Sequence, residues 1–124
     1  KQVVLYFYPK DDTPGCTREA CGFRDSITPI EKAGAVVLGV SMDDASSHTR
    51  FIAKYGLPFS LLCDEDGTMS KAYGVYKKKN MYGRTYWGIE RSTFIIDKTG
   101  RLKAIFRKVK VGGHVDEVRA ALKG

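Results

Sequence analysis

Cys16 and Cys21 are the residues of this 124-residue chain best placed to do chemistry. They lie in Tyr-Pro-Lys-Asp-Asp-Thr-Pro-Gly-Cys-Thr-Arg-Glu-Ala-Cys-Gly-Phe-Arg-Asp, residues 8–25. An apolar, β-rich run ends at Tyr8. Thr13 then reads as a helix N-cap, with Pro14 at the first helical position, where proline is best tolerated. Cys16 therefore falls in the first turn of a helix. The unpaired N–H groups and the helix dipole there favour negative charge, and the thiolate is the reactive form of cysteine. The residues point to redox chemistry at Cys16 with Cys21 as its partner. The plain alternative is an inert buried thiol.

The spacing of the two cysteines has a mechanical consequence. Five residues along an ideal helix give a rise of about 7.5 Å and a rotation of about 140°, so the Cα atoms lie roughly 8 to 9 Å apart and face different sides. A disulfide needs Cα atoms within roughly 7 Å. If the two cysteines bond, the first turns must unwind, and Pro14, Gly15 and Gly22 make unwinding cheaper. The pair predicts a helical reduced form and a locally unfolded oxidised form.

The elements that position these residues follow from pattern. Val3 to Tyr8 and Ala35 to Ser41 are continuously apolar, as strands buried on both faces are. The helix between them carries Cys16, Ala20, Phe23, Ile27 and Ile30 on one stripe and runs toward Gly34, with Pro29 as a possible break. Strand, helix, strand makes a right-handed βαβ unit. A second helix is capped by Ser46 or Ser47 and ends at Gly56. Phe59 to Cys63 is a short strand with Cys63 in the core, and Thr68 to Tyr73 is a short helix. Val75 to Glu90, with Lys77-Lys78-Lys79 and four aromatics, reads as a long, partly ordered loop. Asp97-Lys98-Thr99-Gly100 joins Ser92–Ile96 to Leu102–Phe106 as a hairpin. Val115, Val118 and Leu122 mark a closing helix. The expected fold is an α/β sandwich with a central mixed sheet, helices on both faces and the outline of a thioredoxin-like fold, in one domain over residues 1–124.

Composition narrows the class. The net charge is +7, from 21 Lys and Arg against 14 Asp and Glu. The basic residues are scattered, so nucleic-acid binding is not expected. No apolar run spans a membrane, and no signal peptide is recognisable. Three cysteines, an odd number at low density, suit a reducing compartment such as the cytoplasm rather than a disulfide scaffold.

Pro9-x-x-x-Thr13-x-x-Cys16 resembles the peroxiredoxin active-site motif. Tyr6-Phe7-Tyr8-Pro9 through Thr13-Pro14-Gly15-Cys16-Thr17, then Ala20-Cys21 and Phe23-Arg24-Asp25, is similar to the bacterioferritin comigratory protein (peroxiredoxin Q) subfamily. Arg91-Ser92-Thr93-Phe94-Ile95-Ile96-Asp97 resembles the family's arginine-bearing strand, and Leu61-Leu62-Cys63-Asp64-Glu65-Asp66-Gly67 its middle strand and turn. The likeness covers essentially the whole chain and departs at the N-terminus, where members carry a further hairpin that is expected to be missing here. The resemblance implies a thiol-dependent peroxidase acting on hydrogen peroxide and organic hydroperoxides. Cys16 would be the peroxidatic cysteine, oxidised to a sulfenic acid. Cys21 would be the resolving cysteine, forming an intramolecular Cys16–Cys21 disulfide that a thioredoxin-type reductant recycles. Thr13 would hydrogen-bond the sulfur and the peroxide, Pro9 would shield the pocket, and Arg91 would hold the thiolate and stabilise the leaving oxygen. No metal, haem or flavin is implied. A resolving cysteine in the same helix needs no second subunit, so a monomer is expected.

Other functions remain open at this level. One is a redox-switched interaction protein, in which helix unwinding exposes a surface and the basic stretch Lys77 to Arg84 binds a partner. Another is a one-cysteine peroxidase with an external resolving thiol. A third is a hydrolase pairing Cys16 with His114, although nothing places His114 or His48 beside it. Zinc-ligand spacing, Cys-x-x-Cys and a Cys-x5-Arg loop are all absent. Arg18 and Glu19 read as helix-surface charges, and Tyr86 and Trp87 as loop packing or pocket lining.

Overall fold

The computed structural model describes residues 1–123. The strands are β1 (Gln2–Phe7), β2 (Ala35–Ser41), β3 (Ser60–Cys63), β4 (Tyr76–Met81), β5 (Arg84–Ile89), β6 (Ser92–Ile96) and β7 (Leu102–Phe106). The helices are α1 (Pro14–Asp25), α2 (Ile27–Lys32), α3 (Ala45–Tyr55), α4 (Thr68–Ala72) and α5 (His114–Lys123). Five strands form one sheet in the order β3-β2-β1-β6-β7. β1 pairs with β2 and β2 with β3 in parallel, and β6 runs antiparallel to both β1 and β7. This is the mixed α/β sheet expected from the pattern.

The alternation of β1 divides the core. Val4, Tyr6 and Tyr8 face one side, where they pack with Cys16, Phe23, Ile30, Phe51, Val118 and Leu122 from α1, α2, α3 and α5. Leu5 and Phe7 face the other, against Val40, Val75, Ile89 and Phe94, with Met69 of α4 at the edge. Both faces are covered, but unequally, with four helices on one and α4 with the base of β4–β5 on the other. Gly39 keeps the first face closed. A Cβ there would lie 2.6 Å from Leu61 Cδ2 and 2.9 Å from Tyr6 Cζ.

Four local expectations are corrected. The stretch from Val75 to Glu90 is not a loop. It is a two-stranded antiparallel sheet, β4–β5, turned by Tyr82 and Gly83 at φ 53° and 77°. Positive φ at both central residues matches the strand twist, as a two-residue hairpin requires. Its strands escape a hydrophobic-pattern reading because both faces near the tip are exposed. The first long helix breaks at Ser26 rather than Pro29, which fits inside the first turn of α2, where no N–H is needed. The cap of α3 is Asp44, whose Oδ1 accepts from Ser47 N at 2.8 Å. Cys63 is exposed rather than in the core. No helix among the described residues is long and apolar enough to cross a membrane.

Candidate active site

Cys16 is the third residue of α1 and is only 2% exposed. It lies at the start of the buried stripe that continues through Ala20 and Phe23 onto Tyr6. Thr13 occupies the N-cap position with extended backbone, as the sequence implies, but makes no side-chain cap. Its hydroxyl donates instead to the Lys10 carbonyl at 2.8 Å, bracing the loop from Pro9 to Thr13. Pro9 itself is exposed. Cys21 is half-buried on the same intact helix, and all three cysteines are free.

Arg91 comes from the far side of the chain. It sits between β5 and β6, where its carbonyl accepts from Val109 N at 2.9 Å. From there the guanidinium reaches α1. Nη2 donates to Cys16 Sγ at 3.3 Å, and Nη1 donates to Glu19 Oε1 at 2.6 Å. Gly15 leaves room for this approach, since a Cβ there would stand in tight contact, 3.1 Å from Nη2. One planar fork thus grips a sulfur and a carboxylate one helical turn apart, a use of arginine that lysine could not reproduce. Burial works against the Arg91 cation, yet Glu19 and Cys16 outweigh it and raise its pKa above the ordinary value.

Glu19 is the residue that reasoning from the sequence missed. It is 1% exposed rather than a surface charge. Burial pushes its carboxyl up, the Arg91 charge and hydrogen bond pull it back, and it settles at about 7. Its second oxygen, Oε2, has no hydrogen-bond partner among the described residues, and neither has the hydroxyl of Tyr6. Burial raises Tyr6 well above its usual value, with Glu19 and Cys16 adding to the effect. A signal for Glu19 was present, since it lies three residues after Cys16 and therefore on the same face of the helix.

The histidines stand elsewhere. His114 is 1% exposed, with Nε2 2.7 Å from Thr93 Oγ1 and its ring against Phe106 and Phe23. His48 lies between Asp11 and the Leu62 carbonyl. Neither hydrogen-bonds Cys16, so the base a Cys–His hydrolase needs is not supplied. Asp11, Asp43 and His48 bring oxygen and nitrogen atoms within 4.8 Å of one another. Each of these atoms already has a protein hydrogen-bond partner, which makes the cluster a polar network. Lys79, midway along β4, is half-buried, its pKa lowered by burial and by Arg91, so the hairpin adjoins the site. Trp87 and Tyr86 are 58% and 41% exposed.

The site is therefore a sulfur with little access to water, a cation on that sulfur and a buried carboxyl holding the cation. Comparison with known proteins agrees with this chemistry. A family model described as the AhpC/TSA family matches residues 1–105. A putative peroxiredoxin bcp of Coxiella burnetii is 58% identical over 118 residues, 95% of this chain and 78% of that protein. The peroxiredoxin Bcp of Bacillus subtilis is 53% identical over 123 residues, 99% of this chain and 78% of that protein. Among solved structures, trapped intermediate and ligand complexes of the Xanthomonas campestris bacterioferritin comigratory protein, concerned with its alkyl peroxide reduction activity, superpose with a TM-score of 0.93. That match is at 50% identity and covers 98% of this chain and 78% of that one.

Proposed function

This chain belongs to the AhpC/TSA family, and on that premise we propose that it is a thiol-dependent peroxidase working through Cys16 and Cys21. The observation that carries the reading is the Arg91 guanidinium donating to the buried Cys16 sulfur. The Cys16 thiolate attacks the distal oxygen of a hydroperoxide and the O–O bond breaks. The leaving alkoxide or hydroxide takes up a proton, and Cys16 becomes a sulfenic acid. Arg91 holds the sulfur anionic and stabilises charge as it develops on the leaving oxygen. Thr13 offers its hydroxyl oxygen to the peroxide O–H, which its bond to the Lys10 carbonyl leaves free to accept. Pro9 limits water at the mouth of the pocket.

The Cys21 thiol then attacks the sulfenic sulfur. Water leaves and a Cys16–Cys21 disulfide forms. Because both cysteines sit on α1, this step requires the first turns to unwind. A thioredoxin-type dithiol returns both thiols by exchange. Hydrogen peroxide and alkyl hydroperoxides are the substrates. The reaction needs no second chain, which supports a monomer, and it needs reduced thiols between cycles, which supports a cytoplasmic setting.

The test is peptide mass spectrometry after one equivalent of hydrogen peroxide, with free thiols alkylated. The expected product is an intrachain Cys16–Cys21 disulfide with Cys63 still alkylated, and no turnover in Cys16→Ser. Three alkylated cysteines would overturn the reading. An oxidised Cys16 without a disulfide would remove Cys21 from the mechanism.

A further inference from the structure

The loop from Pro9 to Thr13 is held by a buried network that the chemistry above does not use. Asp11 is 7% exposed. Its Oδ1 accepts from the Tyr8 hydroxyl at 2.5 Å, and its Oδ2 accepts from the Ser47 hydroxyl at 2.7 Å. His48 Nδ1 lies 2.6 Å from the same Oδ2. The Asp11 N–H donates to Asp43 Oδ2 at 2.8 Å, and that oxygen also accepts from Ser41 Oγ at 2.6 Å. The next residue, Asp12, takes a φ of 57° and accepts from Lys54 Nζ and Tyr55 Oη, each at 2.8 Å. The loop is thus tied to the first turn of α3 through Asp11 and to its last turn through Asp12.

Hydrogen counting fixes the state of the Asp11–His48 pair. His48 Nε2 lies 2.9 Å from the Leu62 carbonyl oxygen, which can only accept, so Nε2 carries a hydrogen. The contact between Nδ1 and Asp11 Oδ2 then needs a second proton between them. Remove one proton and two lone pairs face each other, at one ring nitrogen or the other. The pair is satisfied only as a carboxylate with an imidazolium, or as its proton-shifted equivalent. The groups facing it are Tyr8 at the end of β1, Asp43 and Asp44 before α3, and Cys63 on β3. Loss of hydration, together with the charges of Glu65, Asp44, Asp11 and Asp43, pushes the Cys63 thiol up, as a concentration of negative charge there demands.

None of these partners lies on α1. Tyr8 follows β1, Ser41 ends β2, Ser47 and His48 open α3, and Leu62 is on β3. A helix that must unwind in every cycle cannot be what keeps its own leading loop in place. We propose that Asp11 and His48 form a positioning clamp that fixes the Pro9–Thr13 loop to α3 in both the reduced and the disulfide states, and that the clamp holds only while the pair keeps its shared proton. The proposal rests on the peroxidase reading, since the disulfide state is part of it.

The decisive measurement is nitrogen-15 NMR of the histidine rings in the unaltered protein. Both His48 ring nitrogens should carry a hydrogen in the folded protein, with the same shifts after peroxide has formed the Cys16–Cys21 disulfide. A His48 ring with one N–H, or a signal that changes state when the disulfide forms, overturns the clamp. Kinetics give the second arm. His48→Ala and Asp11→Asn should each slow oxidation of Cys16 by peroxide roughly tenfold, as loss of a buried charge-assisted hydrogen bond does. The double variant should be no slower than the worse single one, because the two residues act as a unit. An unchanged rate in a folded His48→Ala protein would sink the proposal. If the unaltered protein shows no oxidation of Cys16 at all, the peroxidase reading fails instead, while the ring signals of the reduced form still report on the pair.

Discussion

The first turn of α1 and the β4–β5 hairpin are neighbours built on opposite terms. In α1, Cys16 and Glu19 are 2% and 1% exposed and are held by a cation from elsewhere in the chain. The hairpin is made of local pairs, Lys78 opposite Trp87 and Lys79 opposite Tyr86, with Tyr76 and Trp87 stacked at 5.5 Å. It leaves Met81, Tyr82 and Trp87 55%, 98% and 58% exposed. Buried charge makes the first region sensitive to small displacements, because its groups have no water to fall back on. The second region tolerates change, because water and local strand pairing already satisfy it. Chemistry sits where substitution is costly, and the free surface sits where it is cheap.

The contrast breaks most readily at Arg91. Arg91→Gln should lower the rate constant for Cys16 oxidation by about a hundredfold or more, the scale of losing one preorganised electrostatic donor. Stopped-flow fluorescence with hydrogen peroxide would show it, and a rate within about threefold of the parent would remove Arg91 from the reaction.

Gly15→Ala is the next test. Its added methyl would sit 3.1 Å from Nη2 and shift the guanidinium by a few tenths of an ångström relative to the sulfur. A loss of roughly tenfold in the same rate, with little change in melting temperature, is expected from a displacement of that kind.

Glu19 sharpens the comparison through pH. Its folded-state carboxyl titrates at about 7, above the ordinary 4.5. Between those values the folded chain holds a proton that the unfolded chain has lost, so stability falls as pH rises across the window. Glu19→Gln cannot ionise and should abolish that contribution. The difference in melting temperature between pH 5 and pH 8 should shrink in the variant, measured by calorimetry. An equal difference in both proteins would mean that Arg91 compensates the charge fully.

The smallest effect belongs to the hairpin. Tyr82→Ala and Trp87→Ala should each change folding stability by no more than about 0.5 kcal/mol, as exposed substitutions do. They should also leave oxidation of Cys16 by peroxide unchanged. A slower peroxide reaction in Trp87→Ala would show that the hairpin shapes the pocket after all.

Much of this molecule was legible in the sequence because its signals are local. The apolar runs of β1 and β2, the Thr13-Pro14 helix start and the Asp97–Gly100 turn all stand in the structure. The misreadings share a cause. Val75 to Glu90 reads as a loop because its strands are wetted on both faces toward the tip, which erases the alternation a strand normally shows. Cys63 reads as core because it ends an apolar run and shares a strand face with buried Leu61, but it is the last residue of β3 and is exposed there. Glu19 was placed on the surface because a glutamate in a helix usually is, and only a partner arriving from a distant segment reverses that expectation.

By itself the sequence determined where Cys16 sits, in the first turn of a helix, and that Cys21 cannot reach it while that helix is intact. Both follow from capping residues and from 3.6 residues per turn, which need no information beyond the segment. The resemblance points to Arg91, but only the tertiary structure decided how its guanidinium meets that sulfur, that a carboxyl is buried beside it, and that the loop before the helix is tied to α3. Arg91 and Cys16 are 75 residues apart and meet only because β6 lies beside β1. Burying a charge is unfavourable unless a partner is delivered to it, and that delivery belongs to the sheet rather than to any stretch of the chain.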